Sequence, residues 1–316
     1  MDTKQEILEM LLSAKGEYVS GNQISEKLGV SRMAVNKAVA VLKRRDYPIE
    51  AKKHWGYRLD TEEDIFSSPT LERSLEGSGI TPFFLEETVS TNRDAKEKVA
   101  LGVEPPFVVA TSRQSGGRGR MGRVFESPKG GVYFSLVLRG DKIASSSLVT
   151  VSAAWAIATT MERLTGIECS IKWVNDVYIG KKKAVGILTE GIVDMENGGL
   201  SDVVIGCGVN LKSTPEDFSP ELREKVTSFY PSGKAMVDRA TVVAECSKAI
   251  VEAQERPFLD EYRKKCFLLG KKIQVIKMDR EIEAEALDID DQGHLLVKYG
   301  DGSREALSSG EVSIRL

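Results

Sequence analysis

The sequence predicts an α+β fold in three modules: a helical module with a hairpin, a mixed α+β core and a β cap. Three observations predict it. Residues 4–60 carry helical periodicity and then one hairpin pattern. From residue 81 strand patterns alternate with helical ones. Residues 271–316 hold only short alternating strands. At roughly 150 residues per domain, 316 residues suggest two domains, but the patterning asks for three.

In the first module Ile7, Leu8, Leu11 and Leu12 form one helical stripe. Ser20 and Gln23 have capping-box spacing for a second helix through Leu28, because each side chain can serve the other's backbone N–H. Gly29-Val30 is a tight turn. Ser31 caps a third helix to about Arg45, with Ala34, Val35, Ala38, Val39 and Leu42 facing inward. Ile49-Glu50-Ala51 and Tyr57-Arg58-Leu59 flank a His54-Trp55-Gly56 turn, a hairpin signature. Residues 60–80 mix acidic residues, Ser, Pro and Gly, as a linker with a short helix would.

In the core, strands are expected at 83–86, 107–111, 132–138, 168–174, 184–193 and 202–211, and helices at 92–101 and 148–164. Val242, Val243, Cys246, Ile250 and Ala253 mark a long helix interrupted near Pro257. Turns at Asp291–Gly293 and Gly300–Gly302 divide the final strands into a small barrel or sandwich. The domain boundaries expected are 1–65, 66–268 and 269–316.

Composition excludes several classes. Hydrophobic residues are 41% and charged residues 29%, which suits a globular chain rather than a disordered or fibrous one. Cys169, Cys207, Cys246 and Cys266 form no C-x-x-C pair, and His54 and His294 are the two histidines, so a Cys/His metal cluster is not expected. Neither histidine lies near a G-x-S-x-G elbow. The first residues contain acids and no apolar run long enough for a signal peptide, and no stretch reaches the roughly 18 apolar residues of a membrane span. A soluble protein of the reducing cytoplasm is expected. Trp155 and Cys207 read as core side chains.

The net charge of −3 hides a polarised first module. Between Lys27 and Arg58 nine basic residues face only Asp46 and Glu50, a local charge of +7. On the third helix Arg32, Asn36, Lys37, Lys43 and Arg44 fall within an arc of about 140°, opposite the apolar side. Helix, turn, capped basic helix and hairpin make a winged helix-turn-helix. Ser31, Arg32, Asn36, Lys37, Lys43, Arg44, Lys52 and Lys53 are the candidate DNA-binding residues, cations for phosphates and the helix start for the major groove.

Gly117-Arg118-Gly119-Arg120-Met121-Gly122 fits G-x-G-x-x-G, but a strand pattern follows where a dinucleotide fold needs a helix. A P-loop would need Lys-Ser/Thr where Arg123-Val124 stands. What remains is a glycine-rich loop with Arg118, Arg120 and Arg123, just after Arg113, whose guanidinium groups suit phosphate. Lys172-Trp173-Val174-Asn175-Asp176 ends a strand with a cation, an amide and a carboxylate. Lys183 opens another, followed by small residues that permit close approach. Read singly, Lys183 is more often a surface lysine, with Lys181 and Lys182 beside it.

Ser90-Thr91-Asn92, Gln114, Gly117-Arg118-Gly119-Arg120, Lys172-Trp173-x-Asn175-Asp176, Lys183-x-x-Gly186-Ile187-Leu188 and Gly206-x-Gly208-x-Asn210, in this order, resemble the biotin protein ligases. With the N-terminal module the chain resembles their bifunctional type, which is also a biotin operon repressor. The resemblance implies a winged helix, a class II synthetase-like mixed-sheet core and an SH3-like barrel. It implies activation of biotin by ATP and Mg²⁺ to biotinyl-5′-AMP, then transfer to a lysine of a biotin carboxyl carrier protein, with no dedicated protein metal site. The adenylate would also be the corepressor, driving a homodimer onto operator DNA, and no membrane partner is expected.

By the same resemblance Ser90, Thr91, Asn92 and Gln114 line the biotin end, with Gly186 and Gly206 also against biotin. Arg118, Gly119 and Arg120 close over the adenylate, and Lys183 meets the biotin carboxylate and α-phosphate. Lys183, Arg118 and Arg120 are the catalytic candidates, while Lys172, Asn175, Asp176, Asn210 and Arg123 serve the nucleotide or metal. The chain departs from the family pattern in carrying Val174 where proline is usual, and Val124-Phe125 where Lys-Trp is usual. Phe125 keeps an aromatic ring able to cover a ligand. The alternatives are a lipoate-type acyl ligase and a DNA-binding regulator that only senses biotinyl-5′-AMP.

Overall fold

The computed structural model describes residues 2–45, 47–61, 63–143, 146–193, 199–277, 280–308 and 311–313. Asp46, one of the two acids weighed against the basic face, lies outside the described residues.

The first module folds on its own apolar cluster. Helices α1 (Thr3–Ser13), α2 (Gly21–Leu28) and α3 (Arg32–Arg44) precede a hairpin of β1 (Ile49–Lys52) and β2 (Gly56–Leu59). Ile7, Leu8, Leu11, Ile24, Val35, Val39, Leu42 and Leu59 are buried together, while Leu12 and Ala34 are only half-buried. The expected capping box is present: Gln23 N–H donates to Ser20 Oγ at 3.1 Å and Ser20 N–H to Gln23 Oε1 at 2.9 Å. Gly29 ends α2 at φ +64°, a conformation that glycine adopts without a Cβ penalty. Ser31 caps α3 by accepting from Ala34 N–H at 3.1 Å.

The core is a seven-stranded sheet. After α4 (Ser68–Ser74) come β3 (Thr81–Leu85), α5 (Thr91–Ala100), β4 (Phe107–Thr111), β5 (Val132–Arg139), α6 (Ser146–Thr165), β6 (Ser170–Lys172), β7 (Asp176–Ile179), β8 (Lys182–Val193) and β9 (Leu200–Val209). The strand order is β3-β4-β5-β9-β8-β7-β6, with β3 and β4 parallel and the other pairs antiparallel. The sheet is covered on both faces, which is why β4 reads as a continuous apolar run. Val108 and Ala110 join the large cluster with α6; Phe107 and Val109 join a smaller one with Ala95 of α5.

The short helix α7 (Pro220–Arg223), then α8 (Arg239–Glu252) and α9 (Leu259–Lys265), complete the core. Trp155 of α6 and Cys207 of β9 are buried, as expected. The last module is a five-stranded antiparallel sheet of β10 (Lys272–Lys277), β11 (Arg280–Ile289), β12 (Leu295–Tyr299), β13 (Arg304–Leu307) and β14 (Glu311–Ser313), ordered β13-β12-β11-β10-β14. Its Ile273, Val275, Ala286, Leu295 and Val297 continue the core cluster rather than forming a separate one.

The structure differs from the sequence expectation at β7, which was not anticipated, and at strand ends. The strand expected at 168–174 spans only Ser170–Lys172, and the one expected from 184 begins at Lys182. No helix among the described residues is long and apolar enough to cross a membrane.

Candidate functional site

A cavity of about 40 Å³ opens where α5, the segment 114–125, β8 and β9 meet. Its floor is glycine because neighbouring side chains already occupy the space a Cβ would take. A Cβ on Gly206 would stand 2.0 Å from Asn92 Oδ1, and one on Gly208 2.3 Å from the Phe125 ring. A Cβ on Gly186 would meet the same ring at 2.8 Å and Lys183 Nζ at 3.1 Å.

One wall is a connected polar chain. Thr91 N–H donates to Gln114 Oε1 at 2.9 Å, and the Gln114 amide donates to Ser127 Oγ at 3.0 Å. The Ser135 hydroxyl lies 2.7 Å from Thr91 Oγ1 and 2.6 Å from Asn92 Oδ1. Asn92 Nδ2 donates to Glu190 Oε2 at 2.7 Å, and Lys96 pairs with Glu190 at 2.5 Å. Burial disfavours the Glu190 charge, but the hydrogen bonds from Lys96 and Asn92 outweigh it and hold the carboxyl below its ordinary value. These partners fix the Asn92 amide with its oxygen toward Ser135 and its nitrogen toward Glu190.

The opposite wall carries charge. Lys183 Nζ lies 2.7 Å from Asp176 Oδ1 and 5.9 Å from the centre of the Phe125 ring. Backbone bonds pin Lys183 on both sides: its N–H donates to Lys225 O, and its carbonyl accepts from Thr227, both at 2.9 Å. Arg120 donates to Asn175 Oδ1 at 3.2 Å, and Asn175 Nδ2 donates to Ile187 O at 2.7 Å. The arginine loop closes on itself through Gly119 N–H to Arg123 O at 2.7 Å and Phe125 N–H to Gly117 O at 2.9 Å. A Cβ on Gly117 would meet Phe125 O at 2.4 Å, so this closure requires glycine. The Trp173–Val174 peptide is cis, and Trp173 Nε1–H donates to Gly293 O of the last module at 2.9 Å.

Of the residues expected at the site, Ser90, Thr91, Asn92, Gln114, Arg118, Gly119, Asn175, Lys183, Gly186 and Gly206 line this one cavity. Arg120 and Asp176 reach it through Asn175 and Lys183. Lys172 sits opposite Asp176 in the β6–β7 hairpin, Arg123 ends the short turn after Arg120, and Asn210 is buried at the end of β9; none of the three lines the cavity. Asn210 Nδ2 donates to Thr227 O at 3.1 Å, while its Oδ1 is buried with no hydrogen-bond partner among the described residues. Ser127, Ser135, Lys96 and Glu190 were missed. A signal for Ser135 was present, a single serine inside the apolar run of β5.

In the first module Ser31, Arg32, Asn36, Lys37, Lys43, Arg44, Lys52 and Lys53 are all exposed. The Ser31 hydroxyl serves as the helix cap, and the Asn36 side-chain oxygen accepts from Tyr57 OH of the hairpin. Arg32, Asn36 and Lys37 stand in the first half of α3, with Lys43 and Arg44 at its far end, about 18 Å along the axis from Arg32.

Comparison with known proteins follows the same division. An HTH domain model matches residues 3–58. The Biotin/lipoate A/B protein ligase family matches residues 84–210, and the Biotin protein ligase C terminal domain residues 268–315. The chain is 31% identical over 318 residues to the bifunctional ligase/repressor BirA of Bacillus subtilis, covering 97% of each. It is 27% identical over 313 residues to that of Escherichia coli, covering 96% of this chain and 95% of the relative. Among solved structures, a biotin protein ligase from Aquifex aeolicus in complex with biotin and ATP superposes with a TM-score of 0.64 at 26% identity, over 74% of this chain and 98% of that one.

Proposed function

The chain belongs to the bifunctional biotin protein ligase/repressor family, and from that premise we propose that it joins biotin to the AMP portion of ATP with release of pyrophosphate, passes biotin to a carrier protein and represses transcription. The observation that carries the ligase reading is Lys183. It sits on the rim of a glycine-floored cavity, 2.7 Å from Asp176. That cation has a carboxylate partner it can exchange for the biotin carboxylate and the α-phosphate.

A biotin carboxylate oxygen attacks the α-phosphorus of ATP, the bond to the bridging oxygen breaks, and pyrophosphate leaves. Lys183 offsets the negative charge gathered at the reacting phosphate, and Arg118 and Arg120 hold the phosphoryl oxygens. Ser90, Thr91, Asn92 and Gln114 meet the polar end of biotin, while Gly186 and Gly206 let it approach the sheet. The closed arginine loop keeps water from the mixed anhydride. The deprotonated amine of a carrier lysine then attacks the biotinyl carbonyl, and AMP departs with the electron pair of the broken C–O bond.

Mg²⁺ fits this donor set. Asp176 supplies a carboxylate and Asn210 a buried carbonyl oxygen without a hydrogen-bond partner among the described residues, hard oxygen donors of the kind Mg²⁺ takes alongside water and phosphates. Bound there, Mg²⁺ would neutralise phosphate charge. Lys172 and Arg123 are assigned to the nucleotide end.

The boundaries proposed are 1–65 for DNA binding, 66–268 for catalysis and 269–316 for the SH3-like module. The adenylate acts as corepressor by favouring a homodimer, whose two α3 helices would read two half-sites of an operator. Use of ATP and four buried free thiols fit a cytoplasmic setting.

The test is adenylate synthesis from biotin and α-labelled ATP with Mg²⁺. Labelled biotinyl-5′-AMP is expected, and its absence overturns the ligase reading. Lys183→Ala should lower synthesis by about 10²–10³-fold, the range for removing one group that stabilises transition-state charge. Arg120→Gly should still make the adenylate but release it faster in a chase with unlabelled biotin. An unchanged release rate would remove the loop from that role.

A further inference from the structure

The hairpin of the first module carries one side chain that neither the basic helix nor the fold explains. Trp55, at the turn between β1 and β2, is 57% exposed, whereas Trp155 and Trp173 are each 3% exposed. It is the one aromatic among the large hydrophobic side chains exposed on the described residues. Leaving an indole in water gives up the burial that usually accounts for its presence.

Its setting is built. Gly56, at φ +110°, brings the hairpin backbone against Val19, where a Cβ would stand 2.1 Å from Val19 O. Reciprocal backbone bonds between Val19 and Tyr57, at 2.8 and 2.9 Å, hold that approach. Tyr18 is thereby set edge-on to Trp55, ring centres 5.7 Å apart. Lys52 Nζ lies 4.3 Å from the centre of the indole and 5.7 Å from that of Tyr18, and the Arg58 guanidinium lies 5.3 Å from Tyr18. Glu50 is the acid in this group and is paired with Arg58 at 2.6 Å. Lys52, Lys53 and His54 stand exposed around the indole.

We propose that Trp55 is a duplex-DNA contact: its indole packs on the sugar–phosphate wall beside the groove that α3 enters, and it holds the Lys52 ammonium toward the same phosphates. The inference rests on the DNA-binding reading above and adds to it a residue and a mode of recognition. Charge complementarity selects the occupant, since the indole projects from a segment whose net charge is +7. An aromatic face suits deoxyribose or an unstacked base, the indole N–H suits a phosphate oxygen, and cation–π contact fixes Lys52 at little entropic cost.

The experiment uses the full chain, a fluorescein-labelled mixed-sequence DNA duplex at low salt, and two simultaneous readouts. Fluorescein anisotropy reports whether DNA binds at all. Acrylamide quenching of tryptophan emission reports Trp55, because the other two indoles are buried. The expected result is a rise in anisotropy together with loss of most of the quenchable emission. Trp55→Ala should weaken binding about five- to tenfold and lower the salt dependence by about one phosphate contact. Lys52→Ala should lower that slope by the same amount, and the double variant by no more than either alone. An unchanged thermal melt shows that Trp55→Ala is folded. Binding with unaltered quenching and unaltered affinity of Trp55→Ala overturns the inference while leaving the DNA-binding reading intact. Absence of any anisotropy change overturns both.

Discussion

At the scale of single residues, the site is defined as much by what its glycines leave out as by what its polar groups supply. Gly206 is needed because Asn92 Oδ1 occupies the place of its Cβ. Asn92 in turn is held by Ser135, Leu188 O and Glu190. Gly206→Ala should therefore push the Asn92 amide out of position and raise the KM for biotin by about tenfold or more, a cost comparable to one lost hydrogen bond to a buried polar group. Steady-state kinetics with biotin varied at saturating ATP would measure it; an unchanged KM would remove Asn92 from the biotin end. Lys183, Arg118 and the Ser90-Thr91-Asn92 run were singled out in the sequence by the order of motifs that resembles the biotin protein ligases, and the fold brings them to one cavity. Glu190 and Lys96 were not, since an acid on a long strand and a lysine on a helix are unremarkable until the fold brings them within 2.5 Å of each other.

At the scale of elements, the first module was the most legible. Caps, a glycine turn and an apolar stripe all point to the same three helices, and local signals that agree are the ones a sequence states clearly. The hairpin strand β7 was hidden because its four residues are bounded by Asn175 and Gly180, begin with the turn-former Asp176, and include only one fully buried side chain, Val177. Its absence from the sequence reading concealed the way β7 sets Asp176 against Lys183. The arginine loop is a closed turn, with Phe125 across Gly186 and Gly208, so a ligand on this floor must displace that ring. On α3, Lys37 is exposed and is one of the residues proposed to meet phosphate. Lys37→Ala should weaken binding to all duplex sequences about equally and reduce the slope of log affinity against log salt by about one. A salt titration of DNA binding checks this, and a loss confined to one sequence would instead make Lys37 a base-reading residue.

At the scale of the whole molecule, ion pairs tie the modules together. Asp64, in the linker, accepts from Arg239 Nε at 2.6 Å and pairs with Lys212 at 2.9 Å. Arg45, just past α3, pairs with Glu86 after β3. The Trp173 bond to Gly293 ties the last module to the core. None of these links was visible in the sequence, because each joins residues more than forty apart through ordinary charged or polar types. Burial raises the Asp64 carboxyl, but Arg239 and Lys212 outweigh it and hold the group below its ordinary value. A carboxyl lowered on folding contributes stability that is present above about pH 4, the ordinary aspartate range, and is lost as pH falls through the folded value. Asp64→Asn should cost about 3 kcal/mol at pH 7, because it strands two cations at a mostly buried site. The difference from the unaltered chain should shrink below pH 4. Urea unfolding of both proteins across that range measures it, and a difference independent of pH would contradict the ion-pair account.

The central claim is that one chain activates biotin and hands it on. The measurement that tests it most directly is transfer of radiolabelled biotin to a purified biotin carrier domain, with and without ATP and Mg²⁺, and with unlabelled lipoate as competitor. The account predicts label on the carrier lysine only when ATP and Mg²⁺ are present, undiminished by lipoate. Label that never reaches the carrier, that reaches it equally without ATP, or that lipoate displaces would contradict it.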